Sequence, residues 1–161
     1  MKPSLLPCFF VFILLATSCN DDDMVLNSAM LYGTWEHSWH NPNMGLNTVD
    51  VYVFGENRSF ERYLVYRDPE SNEISGYGYY QSGTYALSGD NATFFIETVL
   101  LPQEEDFADL EDLAESEGGF ERSVRLEFLE AGSKLLIDLG PCNDVIVAAM
   151  CIENSIYTRV E

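Results

Sequence analysis

Two histidines, His37 and His40, stand in the run Glu36-His37-Ser38-Trp39-His40, and imidazole is the side chain best suited to bind a metal or move a proton near neutral pH. Three residues apart on an extended strand they face opposite sides of a sheet, so a shared zinc would need a bend and distant ligands. They read as surface or rim histidines, and no metal is expected. The motifs that position nucleophiles, phosphates or catalytic zinc are absent: there is no G-x-S-x-G elbow, no P-loop and no H-E-x-x-H. Carboxylates are abundant, but without the D-x-D-x-D-G spacing of a calcium loop their abundance points to solvated surface. No catalytic residue and no cofactor is expected, and the chain is not read as an enzyme.

Cys142 and Cys151 carry two readings that exclude each other. In an oxidising compartment a bridge closing a loop of this size is worth about 2.7 kcal/mol. Yet Val145 to Ile152 is framed as one strand by Asn143-Asp144 and Glu153-Asn154, and an extended chain would place the two Cα atoms about 30 Å apart. A disulfide tolerates about 7 Å. If the bridge forms, the segment doubles back around Val147-Ala148; both readings stay open.

The balance of 8 Lys+Arg against 27 Asp+Glu, a net charge of −19, argues against nucleic acid and against adhesion to anionic headgroups. It favours cations or a basic protein partner. Hydrophobic content of 47% keeps the chain in the globular class, and 161 residues suit one domain.

The fourth chemical feature is Cys19. Residues 1–18 run from Lys2 through the apolar stretch Phe9 to Leu15 into the small residues Ala16, Thr17 and Ser18, the order of a secretory signal. The apolar run is shorter than the ~20 residues that span a bilayer. Ala16-Thr17-Ser18-Cys19 resembles the lipobox of bacterial lipoproteins, with Ala16 where the family most often has Leu. The resemblance implies a lipidated Cys19, a signal peptide over 1–18 and an anchor through acyl chains, each buried methylene contributing about 0.8 kcal/mol. Asn20-Asp21-Asp22-Asp23 looks like the acidic run of some surface-exported lipoproteins, whereas in other Gram-negative lineages an acidic residue after the cysteine favours retention in the inner membrane; with either, the polar residues 19–29 read as an acidic tether. The implied location is the cell envelope, at the outer membrane, periplasmic or surface-exposed.

The elements that must position any site follow from Leu31 onward, where period-two alternation broken by turn clusters predicts antiparallel strands. They are expected at Leu31 to His40, Thr48 to Phe54, Ser59 to Tyr66, Tyr77 to Leu87, Ala92 to Leu100, Phe120 to Leu129, Lys134 to Leu139, Val145 to Ile152 and Ser155 to Val160. Val49, Val51 and Val53 share one face, as do Phe60, Leu64 and Tyr66. Over Gln103 to Glu117, Phe107, Leu110, Leu113 and Ala114 recur at helical spacing among acidic residues and predict one short acidic helix. Eight or nine strands in meander order close most simply into an all-β, up-and-down antiparallel barrel spanning 30–161, which leaves no exposed edge.

Gly33-Thr34-Trp35 looks like the G-x-W signature of lipocalins, in which the Trp plugs one end of the barrel. Phe54 to Phe60, Gly83-Thr84-Tyr85 with Gly89-Asp90-Asn91, and the closing Tyr157-Thr158-Arg159-Val160 are similar to modules of bacterial lipocalin-like lipoproteins. The resemblance implies a barrel signature of Gly33, Trp35 and Arg159, the Arg packing across the Trp. An eight-stranded barrel either fills with side chains or holds one small ligand. Phe60, Tyr66, Tyr79, Tyr85, Phe94 and Phe128 are the candidate lining of such a cavity for a small hydrophobic or amphipathic molecule. The alternative is an interaction module that captures a basic protein; Ser82-Gly83-Thr84-Tyr85 resembles part of the motif of small-barrel lysozyme inhibitors.

Overall fold

The computed structural model describes residues 26–140 and 154–160. Its strands are β1 (Gly33–Asn41), β2 (Leu46–Phe54), β3 (Ser59–Arg67), β4 (Ile74–Ser88), β5 (Asn91–Leu101), β6 (Ala114–Glu115), β7 (Phe120–Leu129), β8 (Lys134–Asp138) and β9 (Asn154–Val160), preceded by the short helix α1 (Ser28–Leu31). Every pairing is antiparallel. β1 to β5 follow one another as hairpins, β5 continues to β7, β7 to β8 and β8 to β9, and β9 returns to β1 through Thr34↔Val160 and Trp35↔Arg159. Eight strands thus form a closed up-and-down barrel, with the two-residue β6 paired alongside the end of β5. Closure gives each of the eight barrel strands two partners, which removes the unpaired backbone edge of the barrel.

Period-two alternation sorts the side chains. On β2, Tyr52 and Phe54 join a core made with Trp35, Phe60, Tyr85, Phe94, Leu126, Leu135 and Tyr157. Val49, Val51 and Val53 do share a face, but it is the outer one, where they meet Val65, Tyr63 and Tyr77. These outward valines are shielded because Arg67 on β3 reaches over β2 to Glu36 on β1, with Nη2 to Oε1 at 2.8 Å.

The two ends of the barrel differ. At the lower end α1 packs Leu26 and Leu31 into the core. Asn27 caps the helix by accepting from the Met30 backbone N–H, so the folded body starts before residue 30 and takes in the end of the expected tether. The upper end carries the β1–β2 and β3–β4 turns and the long connection from Leu101 to Phe120.

That connection holds a correction. The expected helix over Gln103 to Glu117 is absent; only Leu110–Asp112 forms a single 3-10 turn, followed by β6. Carboxylates crowd this stretch, and like charges three and four apart on a helix repel. The apolar residues that suggested a helix have separate destinations. Phe107 packs at a tilt against Tyr66, ring centroids 5.0 Å apart, the Ala108 backbone bonds to Tyr77, Leu113 is buried and Leu110 stays exposed. Gly76 and Gly78 make room: a Cβ on Gly76 would lie 2.4 Å from the Phe107 ring, and one on Gly78 would crowd Leu64 and Tyr66. The expected strand Val145 to Ile152, the Cys142–Cys151 question, the leader and Cys19 lie outside the described residues.

Candidate functional site

Across the middle of the barrel lies a buried ionic network. Asp50 on β2 is fully buried and Arg62 on β3 nearly so. Arg62 donates from Nε to Oδ1 at 3.1 Å and from Nη2 to Oδ2 at 2.7 Å. The hydroxyl of Tyr79 on β4 donates to Oδ1 at 3.0 Å, and that of Tyr157 on β9 to Oδ2 at 2.8 Å. Each carboxylate oxygen therefore accepts twice. The guanidinium is also held over the rings of Tyr52 and Tyr79, 4.9 and 5.3 Å from their centroids. Burial opposes the charge on Arg62, but Asp50 and the surrounding tyrosines outweigh it and keep its pKa well above the ordinary value. Burial raises Tyr52 to about 12 and, with Asp50 adding to it, holds Tyr79 and Tyr157 well above the ordinary phenol range. A saturated carboxylate beside neutral phenols has no spare site for a substrate proton. The network is a floor.

Below the floor the barrel is filled. Trp35 is wholly buried, its Nε1 donates to the Leu31 carbonyl at 2.7 Å, and Arg159 lies 4.6 Å over its ring while donating to the Met30 carbonyl. Gly33 opens β1 just before it. Four of the candidate lining residues are spent here on one another and their neighbours: Phe60 against Phe94 at 4.7 Å, Tyr85 against Phe54 at 5.3 Å, and Phe128 against Trp35 at 5.9 Å. Tyr79 belongs to the floor. Only Tyr66 reaches the upper end.

Above the floor the picture changes. Two residues beyond Asp50, Thr48 keeps the inward parity and pairs with Trp39 on β1 and Tyr66 on β3. Two residues beyond Tyr157, Ser155 does the same on β9. Both are buried, 2% and 1% exposed, yet neither hydroxyl has a hydrogen-bond partner among the described residues, a property they share with the Tyr85 hydroxyl below the floor. An unpaired buried hydroxyl costs about 1–3 kcal/mol, so such groups call for an explanation. His37 and Trp39 stand beside them, half-buried and in ring contact at 5.4 Å. His37 also meets the Tyr157 ring at 5.6 Å and the Ile156 carbonyl through Nδ1 at 3.0 Å, whereas His40 is exposed and bonds Asn47. The two histidines do not converge, and no group of three metal-ligating side chains occurs among the described residues. Burial and the charge of Asp106 both raise Tyr66.

The two best-formed clefts among the described residues lie outside the barrel. One of ≈ 420 Å³ runs along Pro102 to Asp112, and one of ≈ 280 Å³ lies between α1 and Glu56. Sequence reasoning missed Asp50, Arg62, Thr48 and Ser155. Asp50 had a signal as the one ion in TVDVYVF, and Arg62 a weaker one, since it shares the parity of Phe60 and Leu64 in SFERYLVY but stands beside Glu61. Thr48 and Ser155 had none. Compared with family models, characterised proteins and solved structures, the chain matches none of them.

Proposed function

We propose that this is a lipid-anchored envelope protein whose barrel takes up a small amphipathic molecule at its upper end. The observation that carries the reading is the pair of buried hydroxyls of Thr48 and Ser155, without hydrogen-bond partners among the described residues, above a saturated floor. They offer polar contacts to one end of a bound molecule, and the half-buried face of Trp39 with the rim of the largely buried Tyr66 ring offers an apolar bed to the rest. Because the lower half is packed with aromatic side chains, the site is shallow, and the occupant is a small molecule or the end of a longer one. The anchor rests on the lipobox-like run ending at Cys19, which would hold this end of the chain at the membrane.

Thr48→Val and Ser155→Ala test the reading together. If the hydroxyls serve a ligand, removing them leaves stability unchanged or raised by up to about 1 kcal/mol, while the molecule retained with the native protein in mass spectrometry is lost. A fall in stability of more than about 1 kcal/mol with the retained mass unaffected would assign both hydroxyls to packing and overturn the proposal.

A further inference from the structure

Charge on this barrel is divided by end. At the upper end the β3–β4 turn, residues 68–73, holds three carboxylates and the connection 102–119 holds eight, and neither holds a Lys or Arg. The β1–β2 turn, residues 42–45, is uncharged. At the lower end Arg58, Lys134 and Arg159 face Glu56, Asp90 and Glu130 in near balance. Of the cations nearest the acidic rim, Arg67 is committed to Glu36, and Arg122, three residues past the connection on β7, is half-buried and its charge acts on Tyr52. A concentration of one sign beside a low-dielectric opening focuses its field and enriches the opposite charge there.

This acidic rim borders the unpaired hydroxyls. Phe107, in the acidic connection, packs at a tilt against Tyr66, and Tyr66 is the cross-strand neighbour of Thr48. A molecule seated on Thr48 and Trp39 would thus extend its outer end among Glu104, Glu105 and Asp106, all exposed.

We infer that the upper site selects cationic amphipathic small molecules, with a compact apolar or aromatic body held at Thr48, Trp39 and Tyr66 and an amine or quaternary ammonium held by the rim. The inference rests on the upper-end site proposed above. The carboxylates contribute attraction over several ångströms and need no fixed geometry, so a mixed set of cationic amphiphiles would be accepted. Anionic amphiphiles of the same body would be refused by repulsion.

Titration calorimetry on the folded chain with decyltrimethylammonium, decyl maltoside and decyl sulfate, each below its micelle threshold, tests this. The expected result is binding of the cation at least about tenfold tighter than the neutral probe, with no binding of the anion. The preference should shrink several-fold as salt rises from low to physiological concentration. Neutralising three of the rim carboxylates through Glu104→Gln, Glu105→Gln and Asp106→Asn should weaken the preference several-fold and leave the neutral probe unchanged. Equal binding of the cationic and neutral probes, insensitive to salt, would overturn the charge selectivity and leave the site standing. No binding of any probe would overturn both. Binding of a short oligolysine peptide without binding of the amphiphiles would overturn the inference in favour of polypeptide capture.

Discussion

Tyr157 donates a 2.8 Å hydrogen bond to Asp50, 107 residues earlier in the chain. That single contact joins the last strand to the second across the barrel interior, and with Arg62 and Tyr79 it makes the closed sheet a unit rather than a row of hairpins. Removing one partner leaves a buried charge uncompensated. Arg62→Met alone should therefore destabilise the fold by about 3–5 kcal/mol. Tyr157→Phe, which leaves Asp50 three donors, should cost about 1.5–3 kcal/mol. The double replacement Asp50→Leu with Arg62→Met should cost less than either ionic single replacement, because no lone charge remains. Urea unfolding of the four proteins checks this. A double variant as weak as the sum of the singles would show that the pair is not coupled.

Alkaline pH should attack the same floor. Below about pH 10 a phenol is neutral whether folded or exposed, so its burial contributes fully. Between there and about 12, where Tyr52 titrates in the fold, only the unfolded chain ionises, and rising pH favours unfolding. Tyr52 alone accounts for a loss of about 1.4 kcal/mol per pH unit over that window, with Tyr79 and Tyr157 adding to it. Denaturation midpoints measured from pH 9 upward by roughly half-unit steps should fall once past about pH 10. A flat profile would contradict the burial of these three phenols.

At the lower end, Trp35→Phe removes the indole donor to Leu31 and leaves a void under Arg159. The expected loss is about 2–4 kcal/mol. Arg159→Ala should cost only about 1 kcal/mol, since the guanidinium stays solvated on one side. Thermal melting of both variants distinguishes a structural plug from a ligand contact: retention of ligand should follow neither change while the fold persists.

The strands were readable in the sequence because alternation and turn residues agree along each of them, and eight elements in meander order leave a barrel as the simplest way to pair every edge. Their inward faces were less readable. On β2 the valines look like the core, yet Thr48, Asp50, Tyr52 and Phe54 turn inward, because Arg62, Tyr79 and Tyr157 supply the bonds that make a buried carboxylate tolerable. No local pattern announces partners 12, 29 and 107 residues away. The connection 102–119 misled for a related reason: helical spacing of Phe107, Leu110 and Leu113 coincided with residues of separate fates, Phe107 against Tyr66, Leu113 buried and Leu110 left in solvent. Of the candidate lining set, burial was legible, but which aromatics would consume one another was decided by strand register.

The anchor is separable from the barrel. Cys19→Ala in the full chain should release the protein from the membrane fraction or stall it with residues 1–18 attached, without changing the melting temperature of the folded body. A processed Cys19→Ala protein that stays with the membrane would show that retention has another source.

The most direct measurement uses the two tryptophans, which lie at opposite ends of the barrel: Trp35 in the plug and Trp39 beside Thr48. Their two indole N–H signals can be followed by nuclear magnetic resonance while a small-molecule extract of the protein's own envelope is added. The account predicts a saturable shift of the Trp39 signal, abolished by Thr48→Val, with the Trp35 signal unmoved. A shift of Trp35 with Trp39 unchanged would place the ligand in the lower half and contradict the account, and so would the absence of any shift.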